Sequence, residues 1–218
     1  MKRDANSVEV DDVGLAFNFR LSEDPAAPLV VFVHGRAGDR NVMWTFERCV
    51  PPSWSIVSFQ AFLPDDLGGW SWWHMTQEGS SRAAIMEACR RLEHALERFR
   101  VRFSLQPRII LGCGFSQGAV LVSAAGLSGL IQFNGLAILA GFALLPKEDM
   151  VSSSMPQSVF VAHGTKDEII SVDRTRNSIT AIRSLGIPVN YVEEEVGHKV
   201  GIQGTRGLRD WFFEWDRG

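Results

Sequence analysis

The chain predicts an α/β fold, with a mainly parallel central sheet covered by helices on both faces. Three observations carry that expectation. Short runs rich in β-branched and aromatic residues recur at 29–33, 55–59, 109–113, 136–140, 158–163 and 189–194. Continuous apolar runs of that length suit strands buried on both faces. Between several of them lie segments whose apolar residues step by three and four, as in amphipathic helices. Strands that alternate with helices in this way are joined by crossovers, which gives a parallel sheet.

Taken in order, residues 8–21 alternate loosely (Val13, Leu15, Phe17, Phe19, Leu21), which predicts an edge or antiparallel strand. A turn at Asp24-Pro25-Ala26-Ala27-Pro28 leads into the run at 29–33, which ends in the loop His34-Gly35-Arg36-Ala37-Gly38-Asp39. A short helix over 42–49 is stopped by Pro51-Pro52, and the strand at 55–59 is followed by a polar and aromatic loop over 64–73. Ile85, Cys89, Leu92, Leu96, Phe99 and Phe103 mark one face of a long helix over about 77–103. Further helices are expected after Gly118, over 171–185, where Gly186 and Pro188 stop it, and over about 205–215. No repeat or linker divides the chain, so residues 1–218 are expected to form a single domain.

Composition narrows the function classes. Hydrophobic residues make up 45% and charged residues 22%, with a net charge of −3. That balance leaves no basic footprint for nucleic acid. No apolar run approaches membrane-spanning length, and no membrane insertion is expected. The start, Met1-Lys2-Arg3-Asp4-Ala5-Asn6, is not followed by the apolar core of a signal peptide. Cys49, Cys89 and Cys113 are odd in number and lack metal spacing. Free buried thiols in a reducing, cytoplasmic setting are therefore expected.

The chemistry is announced by Gly114-Phe115-Ser116-Gln117-Gly118. It follows an apolar strand and passes at once into a small-residue helix, the setting in which Gly-x-Ser-x-Gly presents a serine at a sharp turn. A serine hydroxyl becomes a useful nucleophile only beside a base. Of five histidines, His94 falls within the long helix, and His74 is expected either in a simple loop or lining a pocket. His34 and His163, each just before a glycine at a strand end, are expected to brace their loops. His198 lies in the loop after the last strand, where it can fold back over the sheet edge, and is the expected base. Asp167 is the expected acid, between serine and histidine in chain order, with Asp149 and Asp173 as rivals. The backbone N–H groups of Gln117 and Arg36 are the expected oxyanion donors.

These residues resemble the α/β-hydrolase fold and, within it, the phospholipase/carboxylesterase family that includes acyl-protein thioesterases. The resemblance rests on His34-Gly35-x-x-Gly38-Asp39, Gly114-Phe115-Ser116-Gln117-Gly118, His163-Gly164-x-x-Asp167-x-Ile169-Ile170 and Gly197-His198, in that order. It implies the same nucleophile, acid, base and donors. The chain departs from the family pattern at Ala119, where a second glycine is usual, and at Arg36, where an apolar residue is common. The Arg36 guanidinium could favour an anionic substrate or point to solvent. Trp70, Trp72 and Trp73 fall where the family has a Trp-containing substrate loop. They are candidates for an apolar substrate wall, with core packing or a homodimer contact as alternatives.

The resulting expectation is a serine carboxylesterase acting on small or medium acyl esters, without a large lid and without metal or organic cofactor. Its partner would be a small-molecule ester or thioester. Lysophospholipase or acyl-protein thioesterase activity is the alternative within the enzyme class, and a non-catalytic binding protein on the same fold is the alternative outside it. A dienelactone-hydrolase-like enzyme would carry cysteine at the elbow itself, whereas Cys113 precedes the turn.

Overall fold

The structure, a computed structural model, describes residues 13–75, 79, 81–146 and 155–217. Its elements run β1 (Phe17–Arg20), β2 (Leu29–Val33), a 3₁₀ helix (Val42–Cys49), β3 (Ser55–Phe59), β4 (Leu63–Pro64), β5 (Trp70–Ser71) and α1 (Arg82–Arg102). They continue with β6 (Ile110–Phe115), α2 (Gln117–Leu127), β7 (Gly135–Leu139), β8 (Ser158–Gly164), α3 (Val172–Ser184), β9 (Val189–Glu194) and α4 (Ile202–Asp216). Seven strands form one sheet in the order β1-β3-β2-β6-β7-β8-β9. Every neighbouring pair is parallel except β1 with β3, where Phe17 faces Phe59 across an antiparallel edge.

Each face of the sheet carries its own core. On one, Ile85, Cys89, Leu92, Leu96 and Phe99 of α1 pack with α2 and with Ile179 and Ile182 of α3. On the other, Met43, Phe46 and Cys49 of the 3₁₀ helix pack with Leu208, Trp211 and Phe212 of α4. Helix α2 is buried along its whole length. Its small residues allow this, because Gly118, Ala119, Ala124, Ala125 and Gly126 let the helix lie directly on the strands.

The structure differs from the sequence expectation in three places. The edge strand is shorter than 8–21, and residues 8–12 lie outside the described residues. Helix α1 begins at Arg82, and the earlier part of the expected helix falls largely outside them too. The loop over 64–73 contains a small antiparallel hairpin, with Leu63 opposite Ser71 and Pro64 opposite Trp70. Gly68 and Gly69, at φ 86° and 63°, supply the left-handed backbone that its turn requires.

The order of strands switches sides between β2 and β6, since β2 continues to β3 on one side and pairs with β6 on the other. Loops leaving the C-terminal ends of strands at such a switch point form a crevice where ligands bind in open α/β sheets. Arg36 follows β2 and Ser116 follows β6.

Candidate active site

Ser116 occupies the single residue between β6 and α2, at φ 52° and ψ −112°. That conformation strains a non-glycine residue by roughly 1–3 kcal/mol and persists only where its surroundings enforce it. The enforcement is steric. A Cβ on Gly114 would lie 2.2 Å from the Gly118 carbonyl oxygen, and one on Gly118 would lie 2.1 Å from the Val33 oxygen. Strand, turn and helix therefore approach more closely than any side chain permits. Ala119, where the family resemblance leads one to expect glycine, places its methyl group against Gly141, whose own added Cβ would come within 2.5 Å of it. The missing glycine is thus compensated across the contact. Ala37, Ser116 and Ala140 are three of the four left-handed non-glycine residues among the described residues; Ser116 and Ala140 directly follow β6 and β7, and Ala37 lies in the loop after β2.

The structure brings Ser116, His198 and Asp167 together. His198 Nε2 lies 2.9 Å from Ser116 Oγ, and its Nδ1 lies 2.7 Å from Asp167 Oδ2. Ser116 keeps 9% of its surface exposed. The Asp167 side chain is fully buried, and the His198 side chain is 22% exposed. Burial pushes the Asp167 carboxyl up, but hydrogen bonds from the Ile170 N–H, His198 and the Ile169 N–H outweigh it. Its pKa consequently falls below the usual carboxylate value, and the group is an anion at neutral pH. Both N–H groups donate to Oδ1 at 2.9 Å, leaving Oδ2 to the imidazole.

His198 reaches Ser116 through a third close approach. A Cβ on Gly164 would fall 2.3 Å from the Val196 oxygen and 2.4 Å from the Gly197 oxygen, so only glycine lets the His198 loop rest on the acid loop. Lys166 N–H donates to the Val196 carbonyl at 3.0 Å, closing that contact. Beyond His198, the Glu194 carboxylate accepts the N–H groups of Gln203 and Gly204 at 2.9 and 2.8 Å. It thereby satisfies donors at the start of α4 and ties down both ends of the loop.

The other histidines separate from this arrangement. His34 accepts the Ala61 N–H on Nε2 at 2.9 Å, so its proton sits on Nδ1, which donates to the Gly35 carbonyl at 2.6 Å. Burial pushes its pKa down, which keeps it a neutral brace. His163 braces the acid loop, with Nε2 2.9 Å from the Ile170 oxygen and 3.4 Å from Asp167 Oδ2. Its Nδ1 lies 3.0 Å from the Thr175 hydroxyl. His74 and His94 are exposed. Asp173 sits in the first turn of α3, paired with Arg176, and Asp149 lies outside the described residues. Cys113 is completely buried, which pushes its thiol well above the ordinary value.

The backbone N–H groups of Arg36 and Gln117, on the loops after the paired strands β2 and β6, meet no acceptor among the described residues. The side chains of both residues are occupied. Arg36 binds Asp65, Nε to Oδ2 at 2.8 Å and Nη2 to Oδ1 at 3.3 Å. Its charge is therefore matched within the protein.

The tryptophan expectation needs correction. Trp72 and Trp73 are 0% and 3% exposed. Trp72 donates its indole N–H to the His34 carbonyl at 2.9 Å, and both indoles pack into the core on the α1 side. They have no surface to offer a substrate or a second copy of the chain. Trp70 alone stays partly exposed, on β5. Sequence reasoning missed Asp65, Gly141, Glu194 and the Gln117 carboxamide, and named Gly164 only as part of a motif. Among the described residues no group of three His, Cys, Asp or Glu side chains converges as a metal site would.

The sheet order and the strand–serine–helix turn define an α/β-hydrolase without a lid among its described residues. The chain belongs to the phospholipase/carboxylesterase family, whose sequence profile matches residues 19–203. Acyl-protein thioesterase 1 of Kluyveromyces lactis is 41% identical over 68 residues, a stretch covering 29% of this chain and 29% of that protein. The carboxylesterase of Bacillus cereus superposes with a TM-score of 0.82 at 16% identity, over 94% of this chain and 96% of that one. The structure of YahD with malic acid gives a TM-score of 0.81 at 18% identity, over 92% of this chain and 98% of that one. These structural likenesses concern the fold. No helix among the described residues is long and apolar enough to cross a membrane.

Proposed function

We propose that the protein is a serine carboxylesterase with Ser116 as nucleophile, His198 as base and Asp167 as orienting acid. The observation that carries this reading is the unbroken path from Ser116 Oγ through His198 to the Asp167 carboxylate, at 2.9 and 2.7 Å. Ser116 Oγ attacks the acyl carbonyl while His198 Nε2 takes its proton. The carboxylate of Asp167 holds the ring and stabilises the imidazolium that forms. The N–H groups of Gln117 and Arg36 receive the oxyanion. His198 returns the proton to the departing alcohol, then activates a water that releases the acid from Ser116. The steps use these groups alone and call for no cofactor.

With no lid among the described residues, the reading extends to small or medium acyl esters as substrates. A second reading, hydrolysis of acyl thioesters, is favoured by the similarity to acyl-protein thioesterase 1 of Kluyveromyces lactis. Three free buried thiols support action in a reducing compartment such as the cytoplasm. A fluorophosphonate should label Ser116 and abolish hydrolysis of p-nitrophenyl acetate and butyrate. An unlabelled, fully active protein overturns the reading, and tight ligand binding without turnover replaces it with a non-catalytic receptor. Chain-length profiles on p-nitrophenyl esters and on acyl thioesters separate the two substrate classes.

A further inference from the structure

The two residues whose amides serve the oxyanion come from different loops, yet both side chains grip the same short segment. The Arg36 guanidinium takes the Asp65 carboxylate with two contacts, at 2.8 and 3.3 Å. Asp65 is only 4% exposed at its side chain and also accepts the Ser71 hydroxyl at 2.6 Å and the Leu67 N–H at 3.0 Å. Arg36, Ser71 and Leu67 together hold its carboxyl far below the usual carboxylate range. Ser71 Oγ accepts the Ala37 N–H at 3.4 Å, and Trp70 donates its N–H to the Gly38 carbonyl at 2.8 Å. On the other side, the Gln117 carboxamide accepts the Trp72 N–H at 2.9 Å and donates to the Trp73 carbonyl at 3.0 Å.

Nothing in the sheet requires these contacts. Strands β2 and β6 are paired only as far as Val33 and Gly114, after which their loops are free to diverge. Two donors serve one oxygen only if both remain near 3 Å from it, a tolerance of a few tenths of an ångström. A buried carboxylate and a buried carboxamide are costly unless every polar atom finds a partner, so contacts satisfied to this degree hold one geometry. A Cβ on Gly69 would lie 2.2 Å from the Ala37 oxygen, so the hairpin sits directly against the oxyanion loop.

We propose that the β4–β5 hairpin is a crosspiece setting the spacing of the two oxyanion amides. Asp65 and the Gln117 carboxamide are its positioning residues. The inference rests on the assignment of the Arg36 and Gln117 amides made above. It also means that the Arg36 guanidinium is committed to the protein rather than to an anionic substrate.

The test compares Asp65→Asn, Arg36→Ala and the double variant on p-nitrophenyl butyrate, with a trifluoromethyl ketone as the tetrahedral mimic. Asp65→Asn should lower kcat by about ten- to a hundredfold, the range expected for small misplacement of a reacting group. KM should stay within about twofold, since ground-state contacts are kept. The inhibition constant of the ketone should rise by the same factor as kcat falls. The double variant should be no worse than the poorer single one, because both lose one shared contact. Losses that multiply, or a raised KM at constant kcat, overturn the proposal. If Asp65→Asn does not fold, Ser71→Ala reports on the same frame, with a smaller fall in kcat at constant KM. Failure of the underlying site assignment reads differently: Ser116→Ala would then remain active and the wild-type protein would escape fluorophosphonate labelling.

Discussion

The loops after β2 and β8 begin alike and are used in opposite ways. A buried histidine and a glycine stand where each begins, His34-Gly35 just after β2 and His163-Gly164 as the last two residues of β8. In each, the imidazole braces the loop through a backbone carbonyl, that of Gly35 in one and of Ile170 in the other. In each, the glycine makes room for a neighbour. A Cβ on Gly35 would crowd Phe115 and Ser116, and one on Gly164 would collide with the His198 loop. From there they diverge. In the proposed mechanism the first loop offers its backbone, the Arg36 N–H, while the second offers a side chain, the Asp167 carboxylate. The same local device supports a donor that survives substitution and an acid that does not.

The largest expected effect tests that division. Asp167→Asn should lower kcat/KM by about a thousand- to ten-thousandfold, because the amide no longer favours the productive tautomer or the imidazolium. Arg36→Ala keeps the N–H and should lose no more than the ten- to a hundredfold expected of displaced positioning. Steady-state rates on p-nitrophenyl butyrate measure both, and equal losses would erase the distinction between the two loops.

The same division marks what was legible in the sequence. Ser116 and its turn were visible because the glycines that permit the turn are its immediate neighbours. His198 and Asp167 were visible through their order along the chain and their places after strands. Asp65 was not, because its partner lies 29 residues away and the segment between β3 and α1 reads as a loop. The Gly68-Gly69 pair between Pro64 and Trp70 was the available sign of a hairpin. Trp72 and Trp73 were misjudged for a related reason: composition shows that a loop carries indoles, but not which way they face. Glu194 only closes the run at 189–194 in the sequence, and nothing in that run shows that its carboxylate meets the start of α4.

The glycines separate the loops next. Gly164→Ala meets backbone oxygens at 2.3 and 2.4 Å, which no rotamer change relieves. The His198 loop must lift, with a fall in activity of about a hundredfold for a shift near 1 Å. Overpacking of roughly 1–3 kcal/mol should accompany it. Gly35→Ala meets the Phe115 ring at 3.0 Å and Ser116 Cβ at 3.2 Å. A ring can move by that margin, so the loss should be several times smaller. Activity and thermal melting of both proteins provide the check, and an indifferent Gly164→Ala would show that the base loop is not wedged as described.

A smaller effect concerns the braces. Thr175 donates its hydroxyl to the Gly141 carbonyl at 2.6 Å beneath His163, and it is fully buried. Thr175→Val leaves that carbonyl without a donor, a loss of about 1–3 kcal/mol. It should appear as a fall in melting temperature of a few degrees, because 1 kcal/mol shifts a domain of this size by roughly 2–4 °C. The brace after β2 has no such weak point, since the His34 ring is met by the backbone N–H of Ala61.

The smallest expected effect lies where the first loop ends. Asp39 Oδ1 accepts the N–H groups of Asn41 and Val42 at 2.7 and 3.2 Å, and thereby caps the 3₁₀ helix much as Glu194 caps α4 after the base loop. Burial pushes the Asp39 carboxyl up, but hydrogen bonds from Asn41 and Val42 outweigh it and leave its pKa below the usual value. A depressed folded value means that the unfolded chain binds the proton more readily. The stabilisation is therefore complete above the unfolded carboxylate pKa of about 3.9, and it is lost as pH falls through the lower folded value. Asp39→Asn keeps an acceptor but removes the charge. It should cost no more than about 1 kcal/mol at neutral pH, as a conservative change at a cap does. It should also flatten the decline of melting temperature on acidification below about pH 4. Catalysis at neutral pH should be unchanged, because Asp39 supports the far end of the loop and the amide of Arg36 is held by the hairpin instead. A melting curve whose acid limb is the same in the variant would mean that the cap carries no charge-dependent share of the loop's stability.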